Sequence, residues 1–140
     1  MKKVLIAIDN GATSEKVAQS GLQLGQQLKA EIALISVVDT EFLMTDSGVS
    51  SKEMAEIIKN DFIAKQKMLV DKLFKHIKVW TFVEEGKPHE VILKIAKEWG
   101  ADIIVRGTHG RTDITHLLMG SVAEKVIRHS THPLFIIPTK

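Results

Sequence analysis

The chain has 140 residues, of which 44% are hydrophobic and 26% charged, with a formal net charge of +2 and no cysteine. This length predicts one domain over residues 1–140 with an ordinary buried core. The lack of cysteine excludes disulfides, thiolate metal sites and a cysteine nucleophile, and the weak net charge argues against nucleic acid as the main partner. No apolar stretch approaches the roughly 18 residues that span a bilayer, so we expect a cytoplasmic protein without a membrane partner.

Five short apolar runs predict five β-strands. Four of them are nearly continuous rather than alternating and cover residues 4–8, 32–38, 103–105 and 134–137. Continuous runs are typical of parallel strands that are buried on both faces of a sheet. The run at residues 79–83 is less uniform, because Thr81 lies at its centre, and it suits an edge strand.

Helical patterns lie between these runs. Their predicted ends are marked by Thr13 or Ser14, by the capping-box pair Ser50 and Glu53, by Pro88 and Gly100, and by Gly120 with Ser121. Strands that alternate with helices indicate an α/β fold with a doubly wound parallel sheet and helices on both faces. The reason is that parallel neighbours need crossover connections, and these are right-handed.

The segment between the fourth strand and the fourth helix carries the clearest functional signal. It leaves the strand through Gly107 and Gly110 and enters the helix through Gly120 and Ser121, with Arg111 as a forked cation. Any two of these glycines alone would indicate only turns. Together they let backbone amides face one concavity at a helix N-terminus, which favours an anion. The sequence therefore predicts a phosphate-binding pocket.

The spacing Gly-x2-Gly-x9-Gly-Ser, followed by VAEKVIRH, resembles the ATP-binding branch of the universal stress protein family. The resemblance extends over the whole chain, through KVLIAID at residues 3–9, GKP at 86–88 and ADIIV at 101–105. It implies a five-stranded sheet in the order 3-2-1-4-5, of the flavodoxin-like or adenine nucleotide alpha hydrolase-like type. It also implies ATP as the ligand.

The resemblance implies a set of binding residues: Gly107, Thr108, His109, Gly110, Arg111, Gly120, Ser121 and Val122 around the phosphates. Asp9 would face the ribose or a bound Mg²⁺, and Val38 would offer its backbone to adenine. Two residues, Asp113 and His116, depart from the family pattern and reduce the positive charge near the phosphates. Arg106 either pairs with an acidic neighbour or points into the site.

Two functions follow from this reading. The first is a nucleotide-binding sensor or regulator of the stress response, with at most slow hydrolysis, because no assured base or catalytic lysine is evident. The alternative is an interaction protein that keeps the fold with an empty or weak pocket. In both cases the apolar last strand is expected to pair with a second copy in a homodimer. That strand consists of Leu134, Phe135, Ile136 and Ile137.

Overall fold

The computed structural model describes residues 2–42, 50–109 and 119–139. The strands are β1 (Lys3–Ala7), β2 (Glu31–Asp39), β3 (Val79–Gly86), β4 (Ile103–Gly107) and β5 (Leu134–Ile137). The α-helices are α1 (Ser14–Leu28), α2 (Ser51–Leu73), α3 (Pro88–Trp99) and α4 (Ser121–His129), and a 3-10 helix spans Thr40–Phe42.

The strands form a parallel sheet in the order β3-β2-β1-β4-β5, which confirms the predicted doubly wound topology. Val4, Leu5 and Ile6 of the central strand β1 are 0% exposed, as expected for a strand covered on both faces. Because β1 and β4 are neighbours, with Ala7 in register with Arg106, their carboxyl ends lie side by side. Sheets of this class bind ligands at that switch point.

Each face of the sheet packs against its own pair of helices. Alternate side chains of a strand point to opposite faces. Val4 and Ile6 accordingly pack with buried residues of α1 and α2, whereas Leu5 and Ala7 pack with buried residues of α3 and α4. The two hydrophobic layers hold β1 and β4 at the centre of the fold.

The ends of α2 and α3 follow the sequence signals. The hydroxyl of Ser50 accepts a hydrogen bond from the amide of Glu53 at 3.1 Å, as the capping box predicts. Pro88 begins α3, and Gly100 ends it in the left-handed conformation with φ 83°. Within the described residues, no helix is long and apolar enough to cross a membrane.

Strand β3 extends three residues beyond the predicted run, to Gly86. The added residues Glu84 and Glu85 continue the register with β2 and keep their side chains exposed. An edge strand pairs with one neighbour only, so charged residues are tolerated there. The hydrophobic pattern therefore predicts the apolar part of the strand and misses its charged end.

Helix α1 lies close to the sheet because two of its residues have no side chain. A Cβ on Gly21 would lie 2.5 Å from Cδ1 of Ile6, and a Cβ on Gly25 would lie 2.7 Å from Cδ1 of Ile32. Both isoleucines are almost completely buried. The close packing of α1 on β1 and β2 thus depends on these two glycines.

Replacing Gly21 by valine should force α1 away from Ile6 and lower the free energy of unfolding by about 1–3 kcal/mol, as overpacking typically does. The matched control is Gln23→Val on the exposed side of the same helix, which should cost less than about 1 kcal/mol. Urea unfolding of both variants measures the difference. Equal stabilities would contradict the proposed close packing.

Candidate functional site

The chain leaves β1 through a tight turn that fixes Asp9. The amide of Gly11 donates to Oδ1 of Asp9 at 2.8 Å. The hydroxyl of Ser14 donates to the carbonyl of Gly11 at 2.8 Å, and Ser14 is only 2% exposed. Thr13, the other predicted cap of α1, makes no side-chain capping bond. The turn thus holds the half-buried Asp9 at the carboxyl end of β1.

The segment that follows β4 returns to its starting point before α4 begins. The carbonyl of Thr108 accepts a hydrogen bond from the amide of Gly120 at 2.6 Å. The amide of Thr108 donates to the carbonyl of Ile137 at 2.9 Å, which extends the pairing of β4 with β5. These two bonds place the N-terminus of α4 beside the carboxyl end of β4, next to the end of β1.

The predicted phosphate donors divide into two groups. The amides of Thr108 and Gly120 donate to protein carbonyls, and the amide of His109 donates to Oγ1 of Thr139 at 3.1 Å. The amides of Ser121 and Val122 lie in the first turn of α4, where N–H groups have no acceptor within the helix. Among the predicted donors that are described, these two are located where an anion is favoured.

The strand register selects the backbone groups of β2 that face the cleft. The amide of Ile8 donates to the carbonyl of Ile35 at 2.9 Å, so Ile35 faces β1. Every second residue of a strand faces the same neighbour. Val37 therefore faces the side where β1 has ended, whereas the predicted Val38 faces β3 and is 0% exposed. No sequence signal indicates Val37, because only the register distinguishes the two valines.

Four residues of the predicted phosphate loop lie outside the described residues: Gly110, Arg111, Asp113 and His116. Their contributions stay predictions. Arg106 is described and is 8% exposed in β4, so this cation is enclosed by the fold rather than displayed on its surface.

Position 107 requires a glycine because its neighbours leave no space for a side chain. A Cβ at this position would lie 2.7 Å from Cγ2 of Thr139 and 2.9 Å from Cγ2 of Val17. Contacts this short force one of the side chains to move. Gly107 thus allows α1 and the residues after β5 to approach the end of β4.

Asp9 is the residue predicted to bind a metal. Among the residues described, no three histidine, aspartate or glutamate side chains are grouped so that they could hold a metal ion. The binding of Mg²⁺ by Asp9 therefore stays a prediction.

His89, in the first turn of α3, has a shifted pKa and contacts α4. Burial lowers the pKa of His89 below 6.5, and the nearby Lys125, His129 and Lys87 also lower it against the opposing effect of Glu90. The rings of His89 and His129 stack with their centroids 5.6 Å apart. This pair packs the two helices together.

A family model described as the universal stress protein family matches residues 1–138. Universal stress protein MJ0577 of Methanocaldococcus jannaschii is 32% identical and aligns with 99% of this chain and 96% of its own length. Universal stress protein YxiE of Bacillus subtilis is 29% identical, and the alignment covers 96% of this chain and 97% of that protein.

Solved structures agree with these sequence matches. The structure of MJ0577 superposes with a TM-score of 0.84 at 30% identity, covering 99% of this chain and 96% of that one. Universal stress protein UspA from Lactobacillus plantarum gives a TM-score of 0.80 at 19% identity, with 97% of both chains covered. The second likeness shows the shared fold.

Substitution of Gly107 by alanine should lower the free energy of unfolding by about 1–3 kcal/mol, because the added methyl group overlaps Thr139 and Val17. Adding Thr139→Ser to this variant removes Cγ2, keeps the hydroxyl and should restore part of the loss. Thermal unfolding without any ligand measures both effects. An unchanged melting temperature for Gly107→Ala would contradict the packing role.

Proposed function

This chain belongs to the universal stress protein family, and we propose that it binds an adenine nucleotide, with ATP as its ligand, and acts as a regulator of the stress response. The observation that carries the proposal is the closure of the β4–α4 segment by the bond between Thr108 and Gly120. This closure brings the N-terminus of α4 to the switch point of the sheet, beside the turn that fixes Asp9.

The first turn of α4 is the proposed phosphate site. The amides of Ser121 and Val122 and the positive end of the helix dipole favour a dense negative charge. The hydroxyl of Ser121, an exposed residue, adds one further donor. Gly110 and Arg111 complete the predicted pocket. A hydrogen bond to a charged group contributes about 1.5–3 kcal/mol, so two amides suffice for substantial affinity.

Asp9 and the end of β2 suit the other two parts of a nucleotide. A carboxylate repels bare phosphate but accepts hydrogen bonds from ribose hydroxyls or binds a hard cation such as Mg²⁺. The N–H and C=O groups of Val37 face the cleft and offer one donor and one acceptor to the edge of adenine. Val38, the residue predicted to face adenine, is 0% exposed and packs with Ala55 and Phe62.

Two proteins of this fold have been solved with adenine nucleotides. One is a universal stress protein in complex with cAMP, and another is the universal stress protein of Archaeoglobus fulgidus in complex with dAMP. Both are 19% identical to this chain. They support the adenine nucleotide as the ligand class, and the choice of ATP rests on the family resemblance of the glycine motif. We propose a regulatory role with turnover below about 1 s⁻¹, the low end of ordinary enzymes.

Two substitutions at one position test the phosphate site. Ser121→Pro removes the first helical amide, yet proline is well tolerated as the first residue of a helix, so α4 should still form. Ser121→Ala removes only the hydroxyl. We expect Ser121→Pro to weaken ATP binding about tenfold or more in calorimetry, Ser121→Ala to weaken it less, and both to unfold at nearly the temperature of the wild type.

The wild-type measurement separates the two functions that the sequence allows. Binding of millimolar ATP–Mg²⁺ by the wild type and loss of affinity in Ser121→Pro support the nucleotide site. If the wild type shows neither heat of binding nor a thermal shift, the interaction protein with an empty pocket is the correct reading. Equal affinities of the wild type and Ser121→Pro would place the phosphates elsewhere.

We further propose that the chain forms a homodimer through β5, which pairs with β4 and is the last strand of the sheet among the described residues. The carbonyls of Pro133 and Ile137 accept hydrogen bonds from the β4 side, so the backbone groups of Leu134 and Ile136 face outward. Phe135 is 41% exposed in the same strand. Outward-facing backbone groups beside an exposed aromatic ring favour pairing with a two-fold mate.

Phe135→Glu should introduce charge repulsion across this edge and convert the dimer to a monomer at tens of micromolar protein. The control is Ile127→Glu, because Ile127 is also 41% exposed and belongs to α4 rather than to the edge strand. Sedimentation equilibrium measures both variants. A monomeric wild type, or dissociation caused equally by both substitutions, would contradict the dimer through β5.

A further inference from the structure

Thr139, two residues beyond the end of β5, is bound to the turn that follows β4 by both its backbone and its side chain. Its amide donates to Oγ1 of Thr108 at 3.1 Å. Its hydroxyl accepts from the amide of His109 at 3.1 Å and lies 3.5 Å from the carbonyl of His109 and 3.2 Å from Oγ1 of Thr108. Hydrogen bonds thus connect residues 108 and 139, although the regular pairing of β4 with β5 ends at Gly107 and Ile137.

One assignment of the hydroxyl protons gives each of the two hydroxyls one donated and one accepted hydrogen bond, with no proton between the two Oγ1 atoms. Oγ1 of Thr108 lies 3.0 Å from Nδ1 of His109 and can donate to it when that nitrogen carries no proton. The hydroxyl of Thr139 then donates to the carbonyl of His109 while it accepts from the amide. Every hydroxyl donates once and accepts once. A network satisfied in this way fixes a turn more rigidly than any single bond.

The surroundings of Thr139 hold it in place. Its Cγ2 occupies the space left by Gly107, and the carbonyl of the preceding Pro138 accepts a hydrogen bond from Nζ of Lys16 at 2.6 Å. The methyl group and the hydroxyl therefore have separate roles. The methyl group packs on β4, whereas the hydroxyl bonds to the loop.

We propose that Thr139 is a positioning residue for the phosphate site, an inference that rests on the proposed nucleotide-binding function. Its amide fixes the side chain of Thr108, and its hydroxyl fixes the amide of His109. That amide shares a peptide group with the carbonyl of Thr108, which holds the amide of Gly120 at 2.6 Å, and Gly120 precedes the first amide of α4. The chain of contacts thus runs from the end of the last strand to Ser121. Holding the donors in place before the nucleotide arrives lowers the cost of ordering them on binding.

Two substitutions separate the hydroxyl from the methyl group. Thr139→Val keeps the shape and removes the hydroxyl, and Thr139→Ser keeps the hydroxyl and removes the methyl group. We expect Thr139→Val to weaken ATP binding about tenfold in calorimetry and Thr139→Ser to bind within about twofold of the wild type. Amide hydrogen exchange without nucleotide should be about tenfold faster at His109 in Thr139→Val and unchanged in Thr139→Ser.

The outcomes distinguish this inference from the proposed function. If the wild type binds ATP and Thr139→Val binds it equally well or more tightly, Thr139 has only a structural role and the inference is wrong. An unchanged exchange rate at His109 in Thr139→Val would also overturn it. If the wild type does not bind ATP, the proposed function fails and the positioning role falls with it. Loss of affinity in Thr139→Val, restored in Thr139→Ser, supports the inference.

Discussion

The pairing of β1 with β4 is the constraint on which the rest of the structure depends. The register of Ala7 with Arg106 makes two strands that are far apart in sequence end at the same edge of the sheet. The turn that carries Asp9 and the loop that leads to α4 begin at that edge. Burial of β1 on both faces keeps this register unique, because a shift by one residue would exchange the two hydrophobic layers.

The candidate site is built mainly from backbone groups, and many of these form hydrogen bonds within the protein. The amides of Thr108, His109 and Gly120 hold the loop closed, and the first turn of α4 is left to face the cleft. Some amides thus connect the two ends of the β4–α4 segment, whereas others, in the first turn of α4, stay available to a phosphate. This division explains why affinity should respond to changes in Thr139, whose amide and hydroxyl bond to Thr108 and His109.

Most of the fold could be predicted from the sequence, because buried parallel strands are continuous apolar runs and helix ends carry cap residues such as Ser50 and Gly100. The strand order came from the family resemblance and not from the runs themselves. The strand register shows that the backbone groups of Val37 face the cleft and those of Val38 face β3. Composition does not encode that register. Thr139 carries no local motif, and only the pairing of β5 with β4 brings it to Thr108.

The central claim is that an adenine nucleotide binds across the ends of β1, β2 and β4 with its phosphates at the N-terminus of α4. A titration of the ¹⁵N-labelled wild type with ATP–Mg²⁺, followed by amide chemical shifts, tests it most directly. We expect saturable chemical-shift changes that are largest at Asp9, Val37, Ser121 and Val122. The absence of saturable changes at millimolar nucleotide, or changes centred on the outer face of α2, would contradict it.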